Sequence, residues 1–423
     1  MKPNLTQDKL EAEDKIKHFL LDASKQIFIL TGAPGVGKTY FVNHIISNIF
    51  TEYKDLSKVL QASSPLSSIL LAATTNPAAN LHRNHSCTTV HKMLNLTIRG
   101  GNVVQKYAPN IRNSLVIIDE YTMIDRNVKK YIEADILDPS YNNKLILVGD
   151  QDQLLAIAHK YPVFTCNDSK TDSFELTESN RTNVKGILDS TAVLREWIRD
   201  PYSNTPWEPD GVSVRWSKNS IKEEYEKLLI DSPSTMFLTY KNQDSQMFNA
   251  MARKVLNLGN TYSQGEVLIL NKPCFVSRTG RDGYIPVDTL FSITALYGSQ
   301  VIAETNRHPE CAIHTYMAQN LSTGEHGPVT VLKDPEQYSE AQIKFLLDEL
   351  WTPFPLMDLR PQFSKTFHKA QGSSVDNVLI DLSSFPPNIA RDILLRTLYV
   401  AVSRARKSVV MVGEFNETVR NKL

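Results

Sequence analysis

Residues 32–39 read Gly-Ala-Pro-Gly-Val-Gly-Lys-Thr, a spacing of glycines, one lysine and one hydroxyl that suits phosphate chemistry. Glycines let successive backbone N–H groups turn inward on a polyphosphate, and a helix starting at the lysine adds the partial positive charge of its N-terminus. In that arrangement Gly32, Gly35 and Gly37 shape the loop, Lys38 reaches the β- and γ-phosphates, and Thr39 offers its hydroxyl to Mg2+. The flanks agree. Ile27–Leu30 is an apolar run of strand type, and Val42, Ile45, Ile46, Ile49 and Phe50 recur at helical spacing. A nucleoside triphosphate site is the first expectation.

A second chemical group follows the apolar run Leu115–Ile118: the carboxylate pair Asp119-Glu120. Phosphoryl transfer to water needs one carboxylate to hold the metal and another to orient and activate the attacking water. Asp119 is expected in the first role and Glu120 in the second. After the run Leu145–Val148 comes Gly149-Asp150-Gln151-Asp152-Gln153, in which Gln153 is the candidate γ-phosphate contact. Negative charge that builds on the transferred group calls for arginines from outside the loop. Arg181, which closes Leu176–Arg181, and Arg404, within Tyr399–Arg406, are the candidates.

These residues need strand ends to carry them. Short apolar runs at Ile69–Leu71, Leu115–Ile118, Leu145–Val148, Met236–Leu238, Val378–Ile380 and Val409–Val412 each end in small or polar residues, with helical segments between. That pattern describes parallel sheets with crossover helices, which bind ligands at the carboxyl ends of the strands. The fold class expected is α/β, with one sheet in residues 1–185 and another in 186–258 plus 361–423. Residues 259–360 differ, with turn signals at Gly280, Asp282-Gly283, Gly298 and Gly324 and alternating runs such as Val329–Val331, so a β-rich insertion is expected there. Gly100-Gly101 between two alternating runs predicts a short hairpin insertion at about 94–110.

Composition sets the outer bounds. A chain of 423 residues is too long for one core, and its 41% hydrophobic and 22% charged residues are ordinary for a globular protein. No run of about 18 apolar residues predicts a membrane span, and the first residues, Met-Lys-Pro-Asn-Leu-Thr-Gln, lack the apolar core of a signal peptide. Cys87, Cys166, Cys274 and Cys311 are scattered, which fits free thiols in a cytoplasmic protein. The 46 basic and 46 acidic residues cancel, against a purely charge-driven nucleic-acid binder. Locally the balance shifts: Arg360 to Val410 holds eight Lys or Arg and three acidic residues.

The ordered series extends the two phosphate-handling motifs. Ala72–Ala79, Thr88–His91, Leu238–Asn242, Thr366-Phe367-His368-Lys369-Ala370-Gln371-Gly372 and Tyr399-Val400-Ala401-Val402-Ser403-Arg404-Ala405-Arg406 fall in sequence with those at 32–39, 119–123, 149–153 and 176–181. The series spans nearly the whole chain and resembles superfamily 1 helicases, in particular the RecD-like group that includes the Dda-type enzymes of T-even phages. The resemblance implies two RecA-like domains, ATP and Mg2+ between them, and a single strand crossing their top. It implies that Arg181, Arg404 and Gln153 reach the γ-phosphate and that Gly372 belongs to the nucleotide site. It further implies movement on single-stranded DNA in the 5′→3′ direction, forked or tailed duplex as substrate, work as a monomer, and single-strand-binding or replisome proteins as partners. By position, residues 259–360 resemble the SH3-like insertion of that group.

Sequence-independent travel along a strand needs backbone contacts and stacking surfaces. Thr74, Thr75, Pro77 and His91 are the candidates in the first domain, and Thr366, His368 and Lys369 in the second. The family's N-terminal adenine-reading glutamine has no direct counterpart: Leu5-Thr6 is followed by Gln7, the candidate, while Lys9 stands in the usual place. The hairpin, expected to separate strands, has no aromatic residue at its Gly-Gly turn to wedge against a base pair; Arg99 and Tyr107 are the candidates to contribute. Three other activities share these motifs: a translocase that displaces proteins from single strands, a viral RNA helicase, and a non-motor nucleotide-gated binding module.

Overall fold

The apolar runs become strands, and those of the N-terminal part line up in one parallel sheet. A computed structural model describes residues 5–420 apart from 60–64, 83–84, 100–101, 157–158, 160, 167, 179–181, 260, 276–283, 286, 305–309, 351, 353 and 355. The chain forms two compact units. Unit 1 takes residues 1–183, 191–205 and 392–403, and unit 2 takes 184–190, 206–391 and 404–423.

Unit 1 contains β1 (Ile27–Gly32), β2 (Ser68–Ala73), β3 (Thr88–Thr89), β4 (Leu96–Arg99), β5 (Asn102–Gln105), β6 (Ser114–Asp119), β7 (Lys144–Gly149) and β8 (Thr171–Leu176). Six of these form a parallel sheet in the order β3-β2-β6-β7-β1-β8. Strands β4 and β5 pair antiparallel as a separate hairpin, with Arg99 opposite Asn102. All six residues of β6 are buried, as a strand covered on both faces requires. Side chains alternate between two cores. Phe28 and Leu30 of β1 pack with Ile16, Phe19, Val42 and Ile45 on one face, and Ile29 packs with Ile118, Val128, Ile132 and Leu147 on the other.

The helix after the phosphate loop runs Lys38–His44, passes through a π-helical turn at Ile45–Ile49, and continues as Phe50–Val59. Val42, Ile45, Ile49 and Phe50 are buried, while Ile46 is half-buried at the border of the same face. The N-terminal helix Gln7–Leu21 is closed by a distant side chain: Lys144 Nζ donates to the carbonyls of Phe19, Asp22 and Lys25 at 2.7, 2.7 and 2.8 Å.

Unit 2 begins with β9 (Val214–Ser217) and β10 (Thr235–Thr239). The chain then enters the inserted body: β11 (Val267–Leu270), β12 (Cys274–Phe275), β13 (Tyr284–Ile285), β14 (Leu290–Ile302), β15 (Cys311–Asn320), β16 (His326–Leu332) and β17 (Leu359–Arg360). It returns as β18 (Ser364–Thr366), β19 (Val375–Asp381) and β20 (Ala405–Val412). Strands β18-β10-β19-β20-β9 form a second parallel sheet. The insertion is an antiparallel sheet of order β16-β15-β14-β11-β17, with β12 and β13 paired separately. It also carries a helix, Glu340–Glu349, whose Ile343 and Leu346 pack on Ile313 and Leu332.

Strand β9 and the helix Ile221–Asp231 are joined through one carboxylate. Glu224 accepts from Arg215 Nη2 at 2.6 Å, Ser217 Oγ at 2.6 Å and Asn219 Nδ2 at 2.7 Å. The Arg215 hydrogen bond outweighs burial and, with the other donors, brings the Glu224 carboxyl down to about 2 from 4.5. A carboxyl held below its unfolded value contributes stability that is full above pH 4.5 and is lost as pH falls toward 2. Glu224→Gln is therefore expected to lower the stability of unit 2 by on the order of 1–3 kcal/mol near neutral pH. Denaturant titrations across the acid range should show that difference shrinking as pH falls; a difference independent of pH would contradict the ionic role of Glu224.

Candidate functional site

Three loops leave the carboxyl ends of adjacent strands β6, β7 and β1, and each carries part of the expected chemistry. The phosphate loop follows β1. Gly35 and Gly37 have φ of 91° and 86°, the left-handed region that a side chain disfavours. Gly32 is required for a different reason: a Cβ there would lie 2.7 Å from the carbonyl oxygen of Leu176 and 2.9 Å from Val36 Cγ2. Lys38 Nζ donates to the carbonyls of Gly32 at 2.7 Å and Ala33 at 3.1 Å, so its ammonium lies within the loop. Thr39 occupies the second position of the helix that begins at Lys38.

Asp119 ends β6 and is only 4% exposed. Its Oδ1 accepts from the Glu120 backbone N–H at 2.9 Å, and its Oδ2 from His82 Nε2 at 2.9 Å. Glu120 has φ 54° and ψ 39°, a left-handed conformation that costs a non-glycine residue roughly 1–3 kcal/mol and is held by its surroundings. Part of that hold is Thr74: its N–H donates to the Asp119 carbonyl at 3.2 Å and its Oγ1 to the Glu120 carbonyl at 2.9 Å. Tyr121 then turns into the core, where its ring lies against Gly149; a Cβ there would meet Tyr121 Cδ1 at 2.9 Å.

The third loop, Gly149–Gln153, is almost wholly buried. Gln153 Nε2 donates to Asp150 Oδ2 at 3.2 Å, and Tyr399 Oη donates to the same oxygen at 2.8 Å. Arg396 Nη1 donates to the carbonyls of Gln151 and Gln153, the latter at 2.9 Å. Asp152 accepts from Arg195 Nε at 2.8 Å and Arg199 Nε at 3.0 Å, and both arginines continue to Glu175. The loop is thus clamped by residues from 191–205 and from the helix Arg391–Val402, which pack within unit 1.

Lys38, Thr39, Asp119, Glu120 and Gln153 all belong to unit 1. Arg181 lies outside the described residues. Arg404 belongs to unit 2, where it is 2% exposed and its Nη1 donates to the Ser373 carbonyl at 3.3 Å. Gly372, also in unit 2, has φ 77° and open space where a Cβ would go. Gln7 is exposed in the first turn of its helix, beside Glu11. The buried neighbour of the phosphate loop is Lys9, whose Cε would be 3.3 Å from a Cβ on Gly37 and whose Nζ donates to Thr6 Oγ1 at 2.7 Å.

The candidate strand contacts fall in two groups. In unit 1, Thr75 caps the helix Asn76–Leu81 by accepting from Ala78 N, and Pro77 lies in that helix's first turn. Burial pushes the nearby His91 imidazole down. In unit 2, Thr366 is buried at the end of β18, whereas His368 and Lys369 are exposed on the turn after it. His368 stands edge-on to Tyr240, and Lys369 Nζ donates to Asn271 Oδ1. Tyr107, after the β4–β5 hairpin, is exposed; the turn glycines Gly100 and Gly101 lie outside the described residues. Residue-type reasoning named Lys9 only for its place in the family pattern, and missed His82, Arg396 and the Arg195–Arg199 pair as site neighbours. Only Arg396 had a local signal, one helical turn before the motif at 399–406.

Loop glycines, an internal ammonium, a hydroxyl and a buried carboxylate at neighbouring strand ends fit a metal-bound polyphosphate. Known proteins point the same way. An AAA domain family model matches residues 19–159, and a UvrD-like helicase C-terminal domain matches residues 363–412. With the ordered motifs and the two parallel sheets, these matches mark the chain as similar to superfamily 1 helicases. It is similar to the ATP-dependent DNA helicase dda of Enterobacteria phage T4, at 25% identity over 90% of this chain and 93% of that one. It is also similar to the ATP-dependent DNA helicase Pif1 of Campylobacter jejuni, at 23% identity over 93% and 89%. A solved structure of Bacteroides Pif1 with ADP-AlF3 and single-stranded DNA shares the fold, with a TM-score of 0.52 at 17% identity over 97% and 93% of the two chains.

Lys38→Ala is expected to lower nucleoside triphosphate hydrolysis by at least about 100-fold while leaving the melting temperature unchanged, because Lys38 contacts loop carbonyls rather than core. Steady-state phosphate release with a thermal melt checks this; hydrolysis at the parent rate would remove the loop from the chemistry.

Proposed function

We propose that the protein is an ATP-dependent DNA helicase that moves 5′→3′ on single-stranded DNA and unwinds forked or tailed duplex. The observation that carries this reading is the alignment of Gly32–Thr39, Asp119-Glu120 and Gly149–Gln153 at the ends of β1, β6 and β7, three adjacent parallel strands. The T4 and Campylobacter relatives are both described as ATP-dependent DNA helicases, and the Bacteroides Pif1 structure pairs a nucleotide with single-stranded DNA.

On this reading residues 1–185 are the first motor domain, 186–258 with 361–423 the second, and the hairpin near 94–110 and residues 259–360 are accessory insertions. Bound ATP with Mg2+ supplies the transferable phosphoryl group and the metal's charge. Thr39 and Asp119 would hold the metal, and Glu120 would orient a water and take its proton. Lys38, Gln153, Arg181 and Arg404 donate to the oxygens on which charge accumulates. Thr74, Thr75, Pro77 and His91, with Thr366, His368 and Lys369, contact the strand through its backbone, which leaves travel indifferent to sequence.

ATP hydrolysis measured with and without single-stranded DNA, with single-stranded RNA in parallel, tests the function. Stimulation of at least about tenfold by DNA, together with unwinding of a duplex bearing a 5′ tail rather than a 3′ tail, is the expected result. Stimulation by RNA alone would transfer the protein to the RNA helicases, and stimulation by neither would leave a nucleotide switch.

His368→Ala with Lys369→Ala is expected to weaken oligothymidylate binding about 10- to 100-fold and to reduce its salt dependence, since phosphate contacts release counterions. Fluorescence anisotropy at several salt concentrations reads both; unchanged affinity and slope would rule out this surface.

A further inference from the structure

The segment from Thr74 to His82 touches the Asp119-Glu120 pair at three points. Two are made by Thr74, through its N–H and hydroxyl. The third is at the far end of the helix Asn76–Leu81, where His82 is the C-cap and its Nε2 lies 2.9 Å from Asp119 Oδ2. The His82 side chain is fully buried and the Asp119 side chain is 6% exposed. Its other ring nitrogen faces Asn43 Oδ1 at 3.3 Å, and Asn43 belongs to the helix that follows the phosphate loop. One imidazole therefore bridges the phosphate-loop helix and the carboxylate at the end of β6. The helix itself is pinned below by Ala78 and Ala79 packing on Ala73 and Cys87.

We propose that His82 is a positioning residue for the Asp119 carboxylate, through which the helix Asn76–Leu81 links strand contact at Thr74 and Thr75 to the metal site. The inference rests on the assignment of Asp119 as the Mg2+-holding carboxylate. The chemistry is specific. With Oδ1 fixed by the Glu120 N–H, the imidazole N–H fixes Oδ2 and so sets the plane of the carboxylate. Outer partners of this kind typically change metal affinity or activity 10- to 100-fold when removed. Because the same short segment begins at the strand-contacting threonines, a shift there on binding nucleic acid is delivered to both oxygens' surroundings at once.

The test uses the full chain and a fluorescent, non-hydrolysable ATP analogue, with its binding followed as Mg2+ is titrated, beside ATP hydrolysis with and without oligothymidylate. His82→Ala is expected to raise the Mg2+ concentration at half-maximal analogue binding about tenfold and to reduce the stimulation by oligothymidylate by a similar factor, while affinity for the oligonucleotide stays within about twofold. His82→Gln, whose amide N–H can replace the imidazole donor, is expected to recover part of both effects. A folded His82→Ala protein with the parent's Mg2+ dependence and stimulation overturns the inference alone, as does a folded His82→Phe protein, which keeps a ring but has no donor, should His82→Ala not fold. A parent protein whose nucleotide binding ignores Mg2+ overturns the assignment of Asp119, and the inference with it.

Discussion

A carboxylate buried at the end of a core strand is the constraint around which unit 1 is arranged. Asp119 follows five buried residues of β6, so its charge enters a region where an unpaired anion would cost several kcal/mol. The structure answers with donors that leave the chain little freedom. One donor is the next residue's own N–H, in a bend that places Glu120 at φ 54°. The other is His82, thirty-seven residues upstream. Thr74 then ties the two carbonyls of the pair to the end of β2. A strained glutamate, a buried histidine and a threonine at a neighbouring strand end are thus consequences of one buried charge, and they hold the Asp119 carboxylate and the Glu120 backbone at fixed positions at the end of β6.

The loop Gly149–Gln153 solves a similar problem with greater means. Asp150 and Asp152 are both buried, and between them they engage Tyr399, Gln153, Arg195 and Arg199. Replacing so dense a set with apolar residues would often leave stability unchanged, so its presence is better explained by geometry than by stability. It fixes the backbone from which Gln153 projects. Preorganised polar groups of this kind stabilise charge in a transition state without reorganising when it forms.

What the sequence made legible was local. Strands β2, β6, β7, β10, β19 and β20 each coincide with an apolar run that ends in a small or polar residue, because burial on both faces writes itself as consecutive aliphatic residues. The phosphate loop was legible for the same reason: its glycines, lysine and threonine are neighbours in the chain. The helix Glu340–Glu349 inside the β-rich insertion was not anticipated, although Ser339 and Gln342 form a capping box that marks its start. His82 and Arg396 could not be singled out, since each matters through a partner 37 or more than 240 residues away. Residue type and spacing carry no trace of such pairings. The same holds for segments 191–205 and 392–403, whose packing into unit 1 depends on where their arginines and tyrosine find carboxylates.

The helix Arg391–Val402 shows what that packing means for the rest of the chain. It is preceded by β19 and followed by β20, neighbours in the sheet of unit 2, yet residues 392–403 pack within unit 1. Its Arg396 and Tyr399 bond the backbone and the Asp150 carboxylate of the loop that carries Gln153. Arg404 comes one residue after this stretch's last helical turn, and its own carbonyl accepts from Val375 N at the start of β19. Within unit 1 this helix therefore does the same work as Arg195 and Arg199: it satisfies buried polar groups of Gly149–Gln153 and leaves that backbone little freedom.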